Sequence, residues 1–151
     1  VNGLTNDKKG YPRMKPKQQQ ELVTRMFEKI SRAANELTIF EADGVEGADV
    51  VVVSYGITSR VAMRAVHLAR EKGLKVGSLR LICVWPFPEK LIRELAPKVK
   101  ALIMPELNMG QVVIELERFA AGRTKVISVP HPGGTVHDPL EILEAIERGA
   151  Q

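Results

Sequence analysis

Apolar and polar positions run along this chain with two periods, and each change of period marks an element. The clearest run is Val50-Val51-Val52-Val53, preceded by Asp49 and leading into Ser54-Tyr55-Gly56. Apolar β-branched residues ended by a turn predict a strand buried on both faces. A helical spacing follows. Val61, Ala65, Leu68 and Ala69 recur on one face, with Met63 and Val66 beside them, as far as Lys72. Thr58 or Ser59 is the expected cap of that helix. Gly73 is its expected C′ residue, where a left-handed backbone suits glycine. The run Leu79 to Val84 predicts a second strand. Strand, crossover helix and strand make a βαβ unit, so the two strands are expected to be parallel.

The same two periods organise the rest. From Gln18 to Leu37 one wide stripe holds Leu22, Val23, Met26, Phe27, Ile30, Ala33, Ala34 and Leu37. It predicts a helix whose stripe packs on the sheet. Thr38–Phe40 predicts a short strand, and residues 41–47 a loop. Pro88 and Glu89 open a helix that points Leu91, Ile92 and Leu95 inward and ends at Pro97. Ala101–Met104 predicts another buried strand. Gln111 to Ala121 predicts a helix buried through Val112, Val113, Leu116, Phe119 and Ala120 and ended by Gly122. Lys125–Val129 is the last expected strand. Asp138 is the expected N-cap of the final helix, with Pro139 at N1, Glu141 completing a capping box, and Gly149 at the end. The fold class read from this order is α/β: a three-layer α/β/α sandwich around a mostly parallel sheet of four strands and a shorter fifth.

Composition narrows the functions. At 151 residues and 44% hydrophobic content the chain can bury one real core and is neither disordered nor membranous. No uninterrupted apolar stretch approaches the ~18 residues of a membrane span. Lys and Arg number 22 against 18 Asp and Glu, and the excess is spread out apart from Lys8-Lys9 and residues 13–17. With aromatics at 5%, the basic stripe and stacking platforms of a nucleic-acid binder are missing. Cys83 is the single cysteine, placed by pattern in a buried strand. No disulfide framework or cysteine metal knuckle can be built from it, which suits a reducing cytoplasm. Residues 1–17 are polar and broken by Gly3, Gly10, Pro12 and Pro16. They read as an extended linker from a missing upstream domain, with residues 18–151 as the folded domain.

Candidate chemistry lies in the loops after the strands, because ligands and partners of parallel sheets meet the carboxyl edge. After the first strand, Gly56, Thr58 and Ser59 could hold an anion at a helix start. The dinucleotide fingerprint needs three glycines and the P-loop a lysine, and only Gly56 is present. The simpler reading is a capped strand-to-helix turn. Ser54 and Ser59 lack the glycine frame of a nucleophile elbow. His67 falls mid-helix as a surface or boundary residue. His131 and His137 share a loop with Asp138, whose better use is as a cap, so no metal site is assigned. Glu106, after a strand, has the place of a general base, but an ordinary loop carboxylate explains it more simply. The most distinctive stretch is Pro105-Glu106-Leu107-Asn108-Met109-Gly110-Gln111, where Asn108 can cap the next helix and Gly110 permits close backbone approach. With Trp85 it makes a candidate interface of Trp85, Glu106, Asn108, Gly110 and Gln111. No catalytic or cofactor-binding residue is assigned.

These same residues carry a family resemblance. Val50–Val53 with Ser54-Tyr55-Gly56, the strand ending Trp85-Pro86-Phe87-Pro88, the Glu106-x-Asn108-x-Gly110-Gln111 stretch and the closing Pro130–Asp138 loop resemble the α subunit of 2-oxoacid:ferredoxin oxidoreductases. The part resembled is its transketolase-C-terminal-like domain. Gly3 to Asp7 and Gly10-Tyr11-Pro12 are similar to the connector before that domain. The resemblance implies a five-stranded sheet whose edge strand, Thr38–Phe40, is antiparallel. It implies a cytoplasmic parent enzyme, nearest the 2-oxoglutarate type, that decarboxylates a 2-oxoacid, forms an acyl-coenzyme A and reduces ferredoxin. Thiamine diphosphate, magnesium and iron–sulfur clusters are then expected elsewhere in that parent. An upstream pyrimidine-binding domain and a β subunit are the implied partners in an oligomer. The chain by itself is expected to be an inactive scaffold. Two other readings stand beside this one: the carboxyl-terminal domain of another thiamine-dependent enzyme, and a stand-alone small-ligand domain using the Tyr55–Ser59 loop.

Overall fold

Alternating valines decide the layers. In β2 (Val50–Tyr55), Val50 and Val52 face one side of the sheet, and Val51 and Val53 the other, all completely buried. Strand side chains alternate between faces, so an unbroken apolar run forces cover on both. The computed structural model describes residues 5–7 and 9–151. The expected Gly3-Leu4 connector motif and Lys8 lie outside the described residues. The chain divides into two compact units, Val1–Leu37 and Thr38–Gln151.

The second unit contains the sheet, in the order β1-β3-β2-β4-β5. Its other strands are β1 (Phe40–Asp43), β3 (Val76–Leu81), β4 (Ala101–Glu106) and β5 (Lys125–Pro130). β1 runs antiparallel to β3, and the remaining pairs are parallel. The mostly parallel sheet with one antiparallel edge strand is therefore as expected, but two strands are offset. The edge strand begins at Phe40 and takes in residues assigned to the loop, because Phe40 to Asp43 register against Leu81 to Ser78. β3 starts at Val76 rather than Leu79 and ends before Ile82. Gly77 accounts for the early start: a Cβ there would lie 2.7 Å from the Val45 Cα and 2.8 Å from the Gly44 carbonyl oxygen. The glycine that reads as a break in the sequence is the residue that lets the chain pass in the sheet.

On one face, α3 (Thr58–Glu71) and α6 (Pro139–Ala150) cover Val50, Val52, Ala101 and Ile103. On the other, α4 (Glu89–Leu95) and α5 (Val113–Ala120) cover Val51, Val53, Leu102 and Met104. Both faces being covered completes the three-layer sandwich. Pro97 does not stop the chain's coiling after α4, since Ala96–Lys98 continues as a 3₁₀ turn. Nor does Gly149 end α6. It is buried, and a Cβ there would come within 2.9 Å of the Ala101 Cβ, so it serves close helix–sheet packing. Asp138 does cap α6, its Oδ1 accepting from the Leu140 N–H at 2.9 Å. The capping box is not closed through Glu141, whose carboxylate lies 3.3 Å from His131 Nδ1 instead.

In the first unit the described residues 5–7 and 9–12 are not extended. The Asp7 carboxylate accepts from the N–H groups of Lys9 and Tyr11, and Asn6 bridges Pro12, which folds the segment into a turn. The Tyr11 N–H above all holds the Asp7 carboxyl below the usual carboxylate range. Then come α1 (Pro16–Arg32) and α2 (Ala34–Leu37), separated at Ala33. Within this unit α1 buries no residue, and Val23, Met26 and Phe27 are 52%, 59% and 70% exposed.

Candidate functional site

The strand order creates one place where a ligand would ordinarily sit. After β2 the chain crosses by α3 to β3 on one side; after β4 it crosses by α5 to β5 on the other. Adjacent parallel strands whose connections leave in opposite directions form a switch point, with a crevice at their carboxyl ends. The crevice exists here, because β2 and β4 pair only from Val50↔Ala101 to Val52↔Ile103 and then part. What fills it is the chain itself. Tyr55, at the end of β2, donates its hydroxyl to Glu106 Oε1, at the end of β4, at 3.0 Å. Asn108 Nδ2 donates to the same oxygen at 3.2 Å and to the Tyr55 hydroxyl at 3.1 Å.

Glu106 is completely buried, and both of its oxygens accept. Besides Tyr55 and Asn108, Oε1 takes the Val112 N–H at 2.9 Å and Oε2 the Val113 N–H at 2.9 Å. These two groups open α5, where free N–H groups and the helix dipole favour an anion. A helix start that could bind an external anion is thus occupied by the chain's own carboxylate. Glu106 touches no solvent, and both of its oxygens are already engaged by donors of the chain itself, so the general-base reading gives way to a structural one. Asn108 is not the N-cap expected of it; that position is Val112. Its Oδ1 instead accepts from the N–H groups of Gly110 (2.8 Å) and Gln111 (3.0 Å), and Gly110 has φ +93. The loop between β4 and α5 is thereby held rigid, with Met109 pushed outward to 75% exposure. Burial, and then the hydrogen bond to Glu106, raise the Tyr55 phenol above its ordinary pKa.

The other candidates separate from this cluster. Thr58 and Ser59 do not cap α3. They lie inside it, buried at 4% and 2% exposure, after Ile57 in the cap position. Ser59 Oγ accepts from Ser54 Oγ at 3.2 Å, while Gly56, with φ +57, stays exposed. Trp85 lies on the loop after β3 at 65% exposure, with a cis peptide bond to Pro86. Cys83 is not in a strand, contrary to its pattern. It is half-buried in that same loop, its thiol 3.0 Å from the Trp85 carbonyl. His137 is buried, its Nε2 donating to the Val129 carbonyl at 2.8 Å, and the His131 ring lies tilted by 39° against it with ring centres 4.8 Å apart. Among the described residues no group of three or more His, Cys, Asp and Glu could hold a metal, and no helix is long and apolar enough to cross a membrane. Tyr55 is the site residue that the sequence did not single out. Its partner is 51 positions away, and only the shared strand-end position hinted at the pairing.

Comparison with known proteins agrees with this architecture. Residues 48–142 match the family described as pyruvate:ferredoxin oxidoreductase core domain II, and all of them lie in the second unit. The chain is similar to 2-oxoglutarate synthase subunit KorA of Methanocaldococcus jannaschii, with 40% identity over 146 residues. That match takes in 97% of this chain and 39% of the relative. Ketoisovalerate oxidoreductase subunit VorB of Methanothermobacter thermautotrophicus is 39% identical over 123 residues, 82% of this chain and 35% of that one. Among solved structures, a 2-oxoglutarate:ferredoxin oxidoreductase from Magnetococcus marinus, with 2-oxoglutarate, coenzyme A and succinyl-CoA bound, superposes with a TM-score of 0.75. Its sequence is 27% identical, over 98% of this chain and 26% of that one. A split-gene transketolase, 17% identical over 69% of this chain and 39% of that one, shares the fold with a TM-score of 0.61. The chain spans about 39% of the length of the curated relatives it matches first.

Proposed function

The chain belongs to the pyruvate:ferredoxin oxidoreductase core domain II family, and from that premise we propose that it serves as a non-catalytic scaffold in the α subunit of a 2-oxoacid:ferredoxin oxidoreductase. The 2-oxoglutarate type is favoured by the KorA relatives. The parent reaction is oxidative decarboxylation of a 2-oxoacid to an acyl-coenzyme A, with electrons passed to ferredoxin in the cytoplasm. One observation carries the scaffold reading: the switch-point crevice is closed by Tyr55, Glu106 and Asn108 bonding to one another and to the start of α5. A small-ligand domain would keep that crevice open.

The parent's cofactors do not fit the residues of this chain. Iron–sulfur clusters need several thiolates, and Cys83 is the only cysteine. The magnesium that anchors a diphosphate needs a set of oxygen ligands, and the best-placed carboxylate, Glu106, is consumed internally. Thiamine diphosphate, magnesium and clusters therefore belong to the partners in this reading: a pyrimidine-binding domain and a β subunit. Gly56, Thr58 and Ser59 are left as a weak anion site at the start of α3, where the Ser59 N–H already donates to the Gly56 carbonyl at 3.3 Å.

Trp85, Asn108, Gly110 and Gln111, on the frame that Glu106 holds, are then assembly residues. Replacing Asn108 and Gln111 together by alanine in the assembled enzyme weakens subunit association, read by native mass spectrometry, more than it lowers the melting temperature of this part. A fully assembled variant of unchanged activity would remove the interface from the proposal.

A further inference from the structure

The turn around Asp7 and the first turns of α1 line a cavity of about 380 Å³ that lies within the first unit. From α1 come Gln18, Glu21, Leu22 and Arg25. Residues three, four and seven apart share one face of a helix, so this wall is a single face of α1. From the turn come Asn6, Asp7, Lys9 and Arg13. The volume is in the range of small-ligand sites, roughly 300–1,000 Å³. Leu22 is the one apolar side chain among these, so recognition here is polar.

Two oxygens on opposite walls lack a donor. Asn6 Oδ1 and Gln18 Oε1 are buried with no hydrogen-bond partner among the described residues. A buried acceptor left unpaired is costly, and folded chains keep few of them. Two lining one cavity mark a place where a donor is missing. The charges narrow what that donor belongs to. Arg13 Nε donates to Asp7 Oδ2 at 3.0 Å, so that pair neutralises itself. Lys9, Glu21 and Arg25, all exposed, are left as the charges of the cavity. Helical side chains lean toward the start of their helix, which carries Arg25 back over Leu22 toward Glu21.

We propose that this cavity binds a free α-amino acid. An α-ammonium group has three N–H donors, and Asn6 Oδ1, Gln18 Oε1 and the Glu21 carboxylate are three acceptors for them. The carboxylate next to that ammonium pairs with the Arg25 guanidinium, whose fork matches it, and with Lys9. Other small ligands satisfy only part of the set. A bare anion would face two amide oxygens and the Glu21 carboxylate. A metal ion would be repelled by Lys9, Arg13 and Arg25. An uncharged polyol would leave Glu21 and both free cations unmatched. Ligand binding in the first unit is additional to the scaffold role and does not rest on it.

Calorimetric titration of the full chain with each of the twenty standard L-amino acids tests the proposal. At least one is expected to saturate with a dissociation constant of about 1 mM or tighter. Acetate, methylamine and inorganic phosphate, which carry only one of the two charges, do not saturate at the same concentrations. Gln18→Leu removes an acceptor of the ammonium, and Arg25→Gln removes the partner of the carboxylate. Each raises the dissociation constant at least about tenfold, while far-UV circular dichroism shows the helix content of the parent. Arg64→Gln, on the exposed side of α3, leaves the constant unchanged. Failure of all twenty amino acids to saturate overturns the proposal. So does phosphate or acetate binding as tightly as the best amino acid, which would make the cavity a plain anion site. Amino-acid binding that both Gln18→Leu and Arg25→Gln leave intact would lie elsewhere and overturns it as well.

Discussion

Glu106 shows at the scale of one residue how a candidate for chemistry turns out to be a fastening. Its position after a strand was legible in the sequence. Its role was not, because its partners come from Tyr55, Asn108 and the start of α5, and only folding brings these together. Glu106→Gln tests the role closely, since it keeps the shape and removes one acceptor. The amide nitrogen must then face either the Val113 N–H or the donors around Oε1, leaving a buried N–H without a partner. The expected loss is ~1–3 kcal/mol of stability, read in urea or thermal melts. A variant as stable as the parent would show that the carboxylate is not what holds α5. Tyr55 gives the matching pH test. Its folded-state pKa is raised, mainly by burial and then by the bond to Glu106. The phenol's contribution to stability is therefore complete below the ordinary tyrosine value near ~10 and is lost as pH rises through the raised one. Tyr11→Phe leaves Tyr55 as the only tyrosine. Phenolate absorbance in that protein is expected to grow in with a midpoint above pH ~10, and a midpoint at or below that value would contradict the buried hydrogen bond.

Elements were legible in proportion to how local their causes are. α6 was read correctly from its start because its cap is an affair of three residues: Asp138 Oδ1 takes the Leu140 N–H across Pro139. Asp138→Ala is expected to cost ~1 kcal/mol, and melts that do not move would place the helix start elsewhere. The valine run of β2 was legible for the same reason, since burial on both faces needs only its own side chains. The errors gather where a distant backbone decides. β3 begins early because Gly77 lets the segment of Gly44 and Val45 pass against it. β1 extends to Asp43 because β3 offers it a register, although its four residues are all exposed. The start of α3 was misplaced because Thr58 and Ser59 turn inward, so composition suggested a cap where the fold uses small residues for packing. For α1 the helix was legible from its stripe, since periodicity reports an apolar face but not what lies over it.

For the whole molecule the question is whether this chain takes hold of the thiamine diphosphate expected of the proposed parent enzyme. A diphosphate is captured by a metal held among oxygen ligands, by a nest of successive backbone N–H groups, or by a free helix start. Each route can be followed through this fold. The N–H groups of Gly110 and Gln111 are taken by Asn108, and those of Val112 and Val113 by Glu106, so the start of α5 carries its own anion. The start of α6 is taken by Asp138, with Glu141 in its first turn repelling a second negative group. The start of α3 keeps exposed backbone at Gly56 and Ile57, but its hydroxyl residues are turned inward and only Arg60 follows with a positive charge. Calorimetry of the chain with thiamine diphosphate and magnesium is therefore expected to show no saturable heat, with at most weak salt-sensitive binding that inorganic phosphate competes away. Stoichiometric binding at micromolar concentration would place this domain in the active site. It would also require the Tyr55–Glu106–Asn108 bridge to open when the cofactor arrives, which the same titration of Tyr55→Phe, lacking one side of that bridge, would reveal as tighter binding.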